Sequence, residues 1–265
     1  MCSCYHDTKM PKKCQLHTYT KGHSMKKILS FILILPFVCF GACPEFYVGK
    51  KLPVSKVNLN EMCYAEFVVG YNPSMKTSFY SAEVLTTESV VNAKGNPRIN
   101  AFHPNKKLQK GNRAELSDYI NTGYDKGHLT PFGNMVSKQA EFESFDLVNI
   151  VPQNRVNNQQ LWKKLEINVR ELASQKGKIY VVTGPVFSDN PPLLKGKIPI
   201  PQYMYKAIYI PSQKVATVFL AENDDSWNYK YITVNQLKTM TGLDVFPSLP
   251  AIVKNTSVRL FEIKR

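Results

Sequence analysis

The sequence predicts an α+β fold built on a largely antiparallel sheet, and three observations carry that expectation. Short runs rich in Tyr, Phe, Val and Ile recur between residues 63 and 221, as strands require. Helical spacing of apolar residues is confined to two segments, near 159–175 and 233–240. The two kinds of segment are mixed but do not alternate as strand–helix–strand units.

Each element follows from its own residues. Residues 63–71 are rich in Tyr, Phe and Val and read as one strand; 76–85 alternate loosely and read as a second. Residues 92–124 are polar and hold Gly95, Pro97, Pro104, Gly111 and Gly123. A loop of that length on a compact domain often carries function. Residues 145–151 read as a short strand ending at Pro152. Residues 159–175 read as a helix, because Leu161, Leu165, Val169 and Leu172 fall on one side and Gly177 stops it. The apolar run 178–186 predicts a buried strand, and 203–210 with 214–221 predict a hairpin around Pro211, Ser212 and Gln213. Thr233 is placed to cap a helix reaching about Met240, with Gly242 beyond its end.

The chain has 265 residues, 43% apolar and 20% charged, ample for a hydrophobic core. This composition excludes disorder, collagen and coiled coil for the whole chain. No stretch of about 20 apolar residues exists, which excludes a polytopic helical membrane protein and any stable span. Lys26 and Lys27, the apolar run 28–40 and Gly41-Ala42 read as a secretory signal peptide over 25–42. Residues 1–24 read as an upstream extension outside the fold, since Met25 heads a signal peptide by itself. No repeat or linker divides the remainder, so 43–265 reads as one domain, exported to the periplasm or secreted. Phe40-Gly41-Ala42-Cys43 also resembles a lipidation box, with Phe a poor match at its first position.

The net charge of the chain is +14. Residues 43–265 hold 28 Lys and Arg against 19 Asp and Glu, so the domain itself is basic. That suits a polyanionic partner, although many soluble exported proteins are equally basic. Within the domain only Cys43 and Cys63 remain. An even pair in an exported protein predicts a disulfide, here tying the N-terminal arm to the first strand. Two cysteines cannot build a Cys₄ zinc site. Only His103 and His128 remain for histidine chemistry.

The informative stretch is Tyr124-Asp125-Lys126-Gly127-His128-Leu129-Thr130-Pro131. It is followed by Asn149-Ile150-Val151-Pro152-Gln153, Asn157-Asn158, Trp162-Lys163-Lys164-Leu165-Glu166 and Arg170. An isolated histidine is usually structural. Beside His128, however, Gly127 permits a close backbone approach, and Asp125 and Lys126 are charged. A neutral imidazole, with an ordinary pKa of about 6.5, is suited to taking a proton from water. Glu166 and Arg170 fall one turn apart on the helix, with Asn158 at its start. They read either as a surface ion pair and a helix cap, or as a hard-metal site. Helix geometry alone decides neither. His103, in Phe102-His103-Pro104, reads as structural or exposed, and Trp162 and Leu165 as packing residues.

These segments resemble the DNA/RNA non-specific endonucleases of the ββα-metal (His-Me finger) type, which include Serratia-type nuclease and endonuclease G. The resemblance rests on Asp125-Lys126-Gly127-His128, Asn149 to Gln153, Asn158 before Trp162, and Leu165-Glu166. It extends to Val182-Thr183-Gly184-Pro185-Val186-Phe187 and Thr241-Gly242-Leu243-Asp244-Val245-Phe246-Pro247. It spans roughly residues 64–250, in order.

The resemblance implies a ββα-metal nuclease fold and assigns roles. His128 would be the general base activating water, and Asn158 the one direct ligand to Mg²⁺, with Mn²⁺ a candidate substitute. Glu166 would orient the metal's water shell, with Asp125 behind the site. Arg98, in Pro97-Arg98-Ile99-Asn100, would stabilise the phosphorane-like transition state, on a looser alignment. Lys126, Arg170 and Asn149 fall on the substrate side, Arg170 as a further phosphate contact and Asn149 in support. Lys106, Lys107, Lys110, Lys163 and Lys164 could track a nucleic-acid backbone, though each alone reads as a solvated surface residue.

The family usually has Arg where Lys126 stands, so bidentate phosphate binding is lost while the charge is kept. Cleavage of DNA and RNA would leave 5′-phosphate ends. Two alternatives compete: a non-catalytic nucleic-acid-binding envelope protein on the same fold, and a lipid-anchored variant. Some relatives dimerise, which leaves a homodimer open.

Overall fold

Strands with side chains alternating between two faces dominate the computed structural model, which describes residues 43–93, 97, 98 and 100–265. The expectations for 1–24 and 25–42 lie outside the described residues. The main strands are β1 (Asn60–Cys63), β2 (Phe67–Asn72), β3 (Thr77–Thr86), β4 (Tyr124–His128) and β5 (Ile150–Asn154). After them come β6 (Lys178–Val186), β7 (Tyr203–Ile210), β8 (Val215–Glu222) and β9 (Tyr229–Ile232). Seven form one sheet in the order β9-β8-β7-β6-β3-β2-β1, every neighbour antiparallel. β4 and β5 pair only with each other, as a separate ribbon. The principal helices are α1 (Thr87–Asn92), α2 (Lys138–Ser144), α3 (Lys163–Lys176) and α4 (Val234–Thr241).

The period of two assigns each residue to a face. Tyr80, Ala82, Val182, Tyr205, Val218 and Leu220 meet Val234 and Leu237 of α4 and Tyr47 of the N-terminal arm. Leu85, Ile179, Val181, Met204, Ile208 and Phe219 meet Leu161, Trp162, Leu165 and Val169 on the opposite side. Helix α3 therefore lies across the second face. The Cys43–Cys63 disulfide ties the arm to β1. Among the described residues no helix is long and apolar enough to cross a membrane.

Most elements fall within a residue or two of expectation, with four corrections. The strand expected over 63–71 is two strands, because the chain turns at residues 64–66. There Glu66 accepts hydrogen bonds from the Val136 and Ser137 amides (2.7 and 2.8 Å), at the start of α2. Pro152 lies inside β5, opposite Lys126, rather than ending a strand. A two-stranded ribbon tolerates a missing N–H that a central strand would not. Residues 147–149 make a 3-10 turn instead of strand. The helix expected from residue 159 begins earlier, with a π-helical turn at Asn157–Trp162 that runs into α3.

Candidate active site

The ribbon and the helix after it are locked together by motif residues. Gly127 pairs with Val151, and Gln153 lies against it. A Cβ at Gly127 would strike the Gln153 side chain, 2.6 Å from its Cβ, so only glycine fits. Buried Gln153 donates to Asn157 Oδ1 (2.6 Å), and Asn157 Nδ2 donates to the Glu222 carbonyl (2.7 Å). The cap of this turn is Asn154, whose Oδ1 accepts from the Val156 and Asn157 amides (2.8 and 3.1 Å). Asn158 is thus not the capping residue.

Asp125 orients Asn158 instead. Its Oδ2 accepts from Asn158 Nδ2 (2.9 Å) and Gln159 Nε2 (2.8 Å), and its Oδ1 meets Arg155 Nε at 3.4 Å. An ionised carboxylate only accepts, so the NH₂ end of the Asn158 amide must face it. No hydrogen bond among the described residues uses Asn158 Oδ1. That neutral, hard oxygen is available to a cation.

His128 ends β4 and is 8% exposed. Phe102 and Phe145 pack on its ring, with centroids 5.3 and 5.1 Å away. Its Nε2 is sealed from solvent without a partner among the described residues. Burial, then the Arg98 guanidinium, push its pKa down to about 3. The imidazole is therefore neutral across the physiological range.

Glu166 and Arg170 do not form the surface ion pair that helix spacing allowed. Arg170 donates to Asn134 Oδ1 (3.1 Å), and Gly133 leaves it room, since a Cβ there would lie 3.3 Å from the guanidinium. Asn134 Nδ2 in turn donates to both oxygens of buried Glu83 (3.1 and 2.9 Å). Glu166 lines the cleft, half-buried, and burial raises its pKa, against which Lys206, Arg170 and Arg98 act.

A cleft of about 880 Å³ brings together Arg98, Asp125, Lys126, His128, Asn158, Glu166 and Arg170. Arg98 donates to Asn100 Oδ1 (2.9 Å), with its guanidinium 5.5 Å from the Phe145 ring centre. The Lys126 ammonium sits 5.0 Å from the Phe102 ring centre. Five cations line the cleft (Arg98, Lys126, Arg155, Lys163 and Arg170) against two carboxylates, Asp125 and Glu166. That excess favours a polyanion.

Two expectations shift. Asn149 is fully buried, and its amide bonds Thr130 (3.0 and 2.8 Å) and the Ser144 carbonyl (2.9 Å). It braces the chain just after His128 from beneath and lines no part of the cleft. Of the five lysines weighed for backbone tracking, Lys163 alone lines the cleft. His103 is structural: its Nδ1 meets the Ala101 carbonyl at 2.8 Å and its ring stacks on Phe142. Among the described residues, Cys43, Cys63 and Glu61 are the one trio of Cys, His or acidic donors within metal-binding reach, and the disulfide uses both thiols.

Sequence reasoning missed Asn134, Glu83, Lys206 and Phe145. Asn134 lies six residues beyond His128, a signal available in the motif. Glu83 and Lys206 each sit in an apolar strand pattern, where a lone charge is itself a signal.

Comparison with known proteins agrees with this geometry. The family model for DNA/RNA non-specific endonuclease matches residues 47–252. A nuclease of Nostoc sp. is 30% identical over 196 residues, covering 68% of this chain and 70% of its own. Nuclease C1 of Cunninghamella echinulata var. echinulata is 31% identical over 212 residues, covering 74% and 80%. A crystal structure of an EndoG/EndoGI complex superposes with a TM-score of 0.60 at 22% identity, over 69% of this chain and 84% of that one. The ribbon-and-helix site thus sits in an EndoG-like α+β fold, and the chain belongs to the DNA/RNA non-specific endonucleases, enzymes that hydrolyse phosphodiester bonds.

Proposed function

We propose that this protein is an exported, Mg²⁺-dependent endonuclease that cleaves both DNA and RNA with little sequence preference. The observation that carries the reading is the neutral His128 beside Arg98, in one basic cleft with Asn158 and Glu166. His128 takes a proton from the attacking water. Its Nε2 is sealed, which leaves Nδ1 to accept that proton. The negative phosphodiester offsets the field of Arg98 on the ring and so raises its basicity where it is needed. Arg98 and Arg170 hold the charge that grows on the non-bridging oxygens, as preorganised donors.

The donors fit a hard cation. Asn158 offers an amide oxygen held in place by Asp125, and Glu166 is an adjacent carboxylate suited to binding the ion's waters. Mg²⁺ bound there would supply Lewis-acid stabilisation of the leaving 3′ oxygen, giving 5′-phosphate ends. Lys126, Arg155 and Lys163 contact the backbone, which carries no sequence code. Export is supported by the leader-like residues 25–42 and by the disulfide, which belongs to an oxidising compartment. The disulfide also occupies the sulfur that a lipid anchor on Cys43 would need.

The test is digestion of closed circular plasmid and of total RNA by residues 43–265 with Mg²⁺, with EDTA, and by His128→Ala. Cation-dependent cleavage of both substrates, lost in the variant, is expected. No cleavage by folded wild-type protein with Mg²⁺ or Mn²⁺ would sink the reading.

A further inference from the structure

The turn that follows His128 is tied to the sheet at two points. The hydroxyls of Thr130 and Ser81 share a hydrogen bond (2.7 Å). Four residues on, Asn134 meets Glu83, which lies two residues beyond Ser81 on β3 and so shares its face. Asn134 ends a 3-10 turn at Phe132–Asn134, and its amide N–H donates to the Pro131 carbonyl (3.0 Å). The first tie only pins the turn. The second continues through the Asn134 side chain to Arg170 in the cleft.

Both members of that tie are buried, Asn134 at 5% exposure and Glu83 at 1%. The two Glu83 oxygens accept from Asn134 Nδ2 (3.1 and 2.9 Å). An ionised carboxylate only accepts, so it fixes which way the amide points. Oδ1 is left facing α3, where it accepts from Arg170 Nη1 (3.1 Å). Among the described residues this is the one hydrogen bond of the Arg170 side chain, which joins no ion pair. A guanidinium has five N–H donors, so most remain for a ligand in the cleft that Arg170 lines. The acceptor that holds it is neutral. A carboxylate in that place would hold the guanidinium equally well, but its charge would offset the field an anion meets. Here the carboxylate stands one residue further back and acts on Arg170 through the amide.

We propose that Asn134 is a positioning residue for Arg170: its amide, oriented by Glu83, fixes the guanidinium in the cleft without neutralising it. The inference rests on the proposed phosphate contact of Arg170. It gives Asn134 and Glu83 a part in turnover without any contact with substrate.

The test is a double-mutant cycle in the purified protein, with Asn134→Ala, Arg170→Ala and the two combined. Plasmid nicking and melting temperature are read for each. Expected is a kcat loss of roughly 100-fold for Arg170→Ala and roughly 10–100-fold for Asn134→Ala. The combined variant should fall within about threefold of Arg170→Ala alone, because Asn134 acts through that side chain. Glu83→Gln tests the same relay without opening a cavity. Its amide accepts one N–H instead of two, so Asn134 is less firmly oriented, and a kcat loss of about threefold to tenfold is expected, absent when Arg170 is Ala. Losses that multiply in the combined variant would show that Asn134 serves only the fold and would overturn the proposal. Unchanged kcat in Asn134→Ala would do the same. Wild-type protein that cleaves nothing would count against the nuclease mechanism instead. The affinity for a short single-stranded DNA in EDTA, read by fluorescence anisotropy, then judges the relay. Asn134→Ala and Arg170→Ala should each weaken it by about threefold to tenfold, with no further loss on combination. An affinity that Asn134→Ala leaves at the wild-type value would overturn the proposal.

Discussion

The two faces of the central sheet bury different things. The face under the N-terminal arm buries aliphatic side chains and tyrosines, and its buried carboxylate, Asp244, is ion-paired directly with Lys238 (3.1 Å) and Lys254 (2.9 Å). Tyr47 bonds Glu61 (2.9 Å) and Tyr80 (3.2 Å), and the disulfide closes the edge. The face under α3 buries a carboxyl and an amine, Glu83 and Lys206, each 1% exposed and neither in a direct ion pair among the described residues; burial pushes the first pKa up to about 7 and the second below its ordinary value. Hydrophobic burial is enough to hold two layers together, so the first face is what stability alone requires. The second accepts a desolvation cost that stability alone does not explain. The buried ionisable groups without a direct ion pair lie on the side that carries the cleft.

Substitutions on the cleft side should cost activity more than stability. The largest effect is expected for His128→Ala, a loss of roughly 10²–10⁴-fold in the initial rate of plasmid nicking. Next comes Gly127→Ala. The new Cβ displaces Gln153, which releases Asn157 and lets the Asn158 turn drift. A misplacement of that kind predicts a kcat loss approaching about 100-fold, with about 1–3 kcal/mol of destabilisation in urea melts. A stability loss with kcat intact would show that the ribbon is only scaffold.

Lys126→Arg sharpens the comparison from within the cleft. Arg adds a bidentate phosphate contact, and KM should fall by about threefold or less. Unchanged kinetics would show that the charge alone matters at this position.

The smallest effect is on stability against pH. The folded-state pKa of His128 is depressed to about 3, so its contribution is present above the ordinary value near 6.5 and is lost as pH falls towards 3. The gap in melting temperature between wild type and His128→Ala should therefore narrow between about pH 7 and pH 4. A gap that widens would mean the buried ring is charged.

How far the sequence reaches can be judged residue by residue. Strand β6 and helix α4 were legible to within a residue, because an unbroken apolar run and a Thr–Gly pair of caps act locally. The β1–β2 turn was not, because its cause is Glu66 bonding a helix some 70 residues away. The π-helical turn at Asn157 was hidden likewise, since Asn154, Gln153 and Glu222 set it together. In the cleft, the family resemblance pointed to seven residues that the fold does assemble, Arg98 on the loosest alignment. It missed Glu83, Asn134 and Lys206, which lie on separate strands and loops and meet only through the sheet register. It also put Asn149 on the substrate side, because spacing cannot tell a buried brace from a contact.

One paired measurement tests the account most directly: plasmid cleavage rate and melting temperature for wild type, His128→Ala and Cys43→Ser/Cys63→Ser, side by side. The disulfide closes a loop across 20 residues on the face away from the cleft. Its loss should cost about 3 kcal/mol and leave the rate of the folded protein near wild type. His128→Ala should do the reverse, losing at least about 100-fold in rate with a smaller fall in melting temperature than the disulfide variant. A histidine variant that still cleaves, or a folded disulfide variant that loses as much rate as the histidine variant, would contradict the division between the two faces.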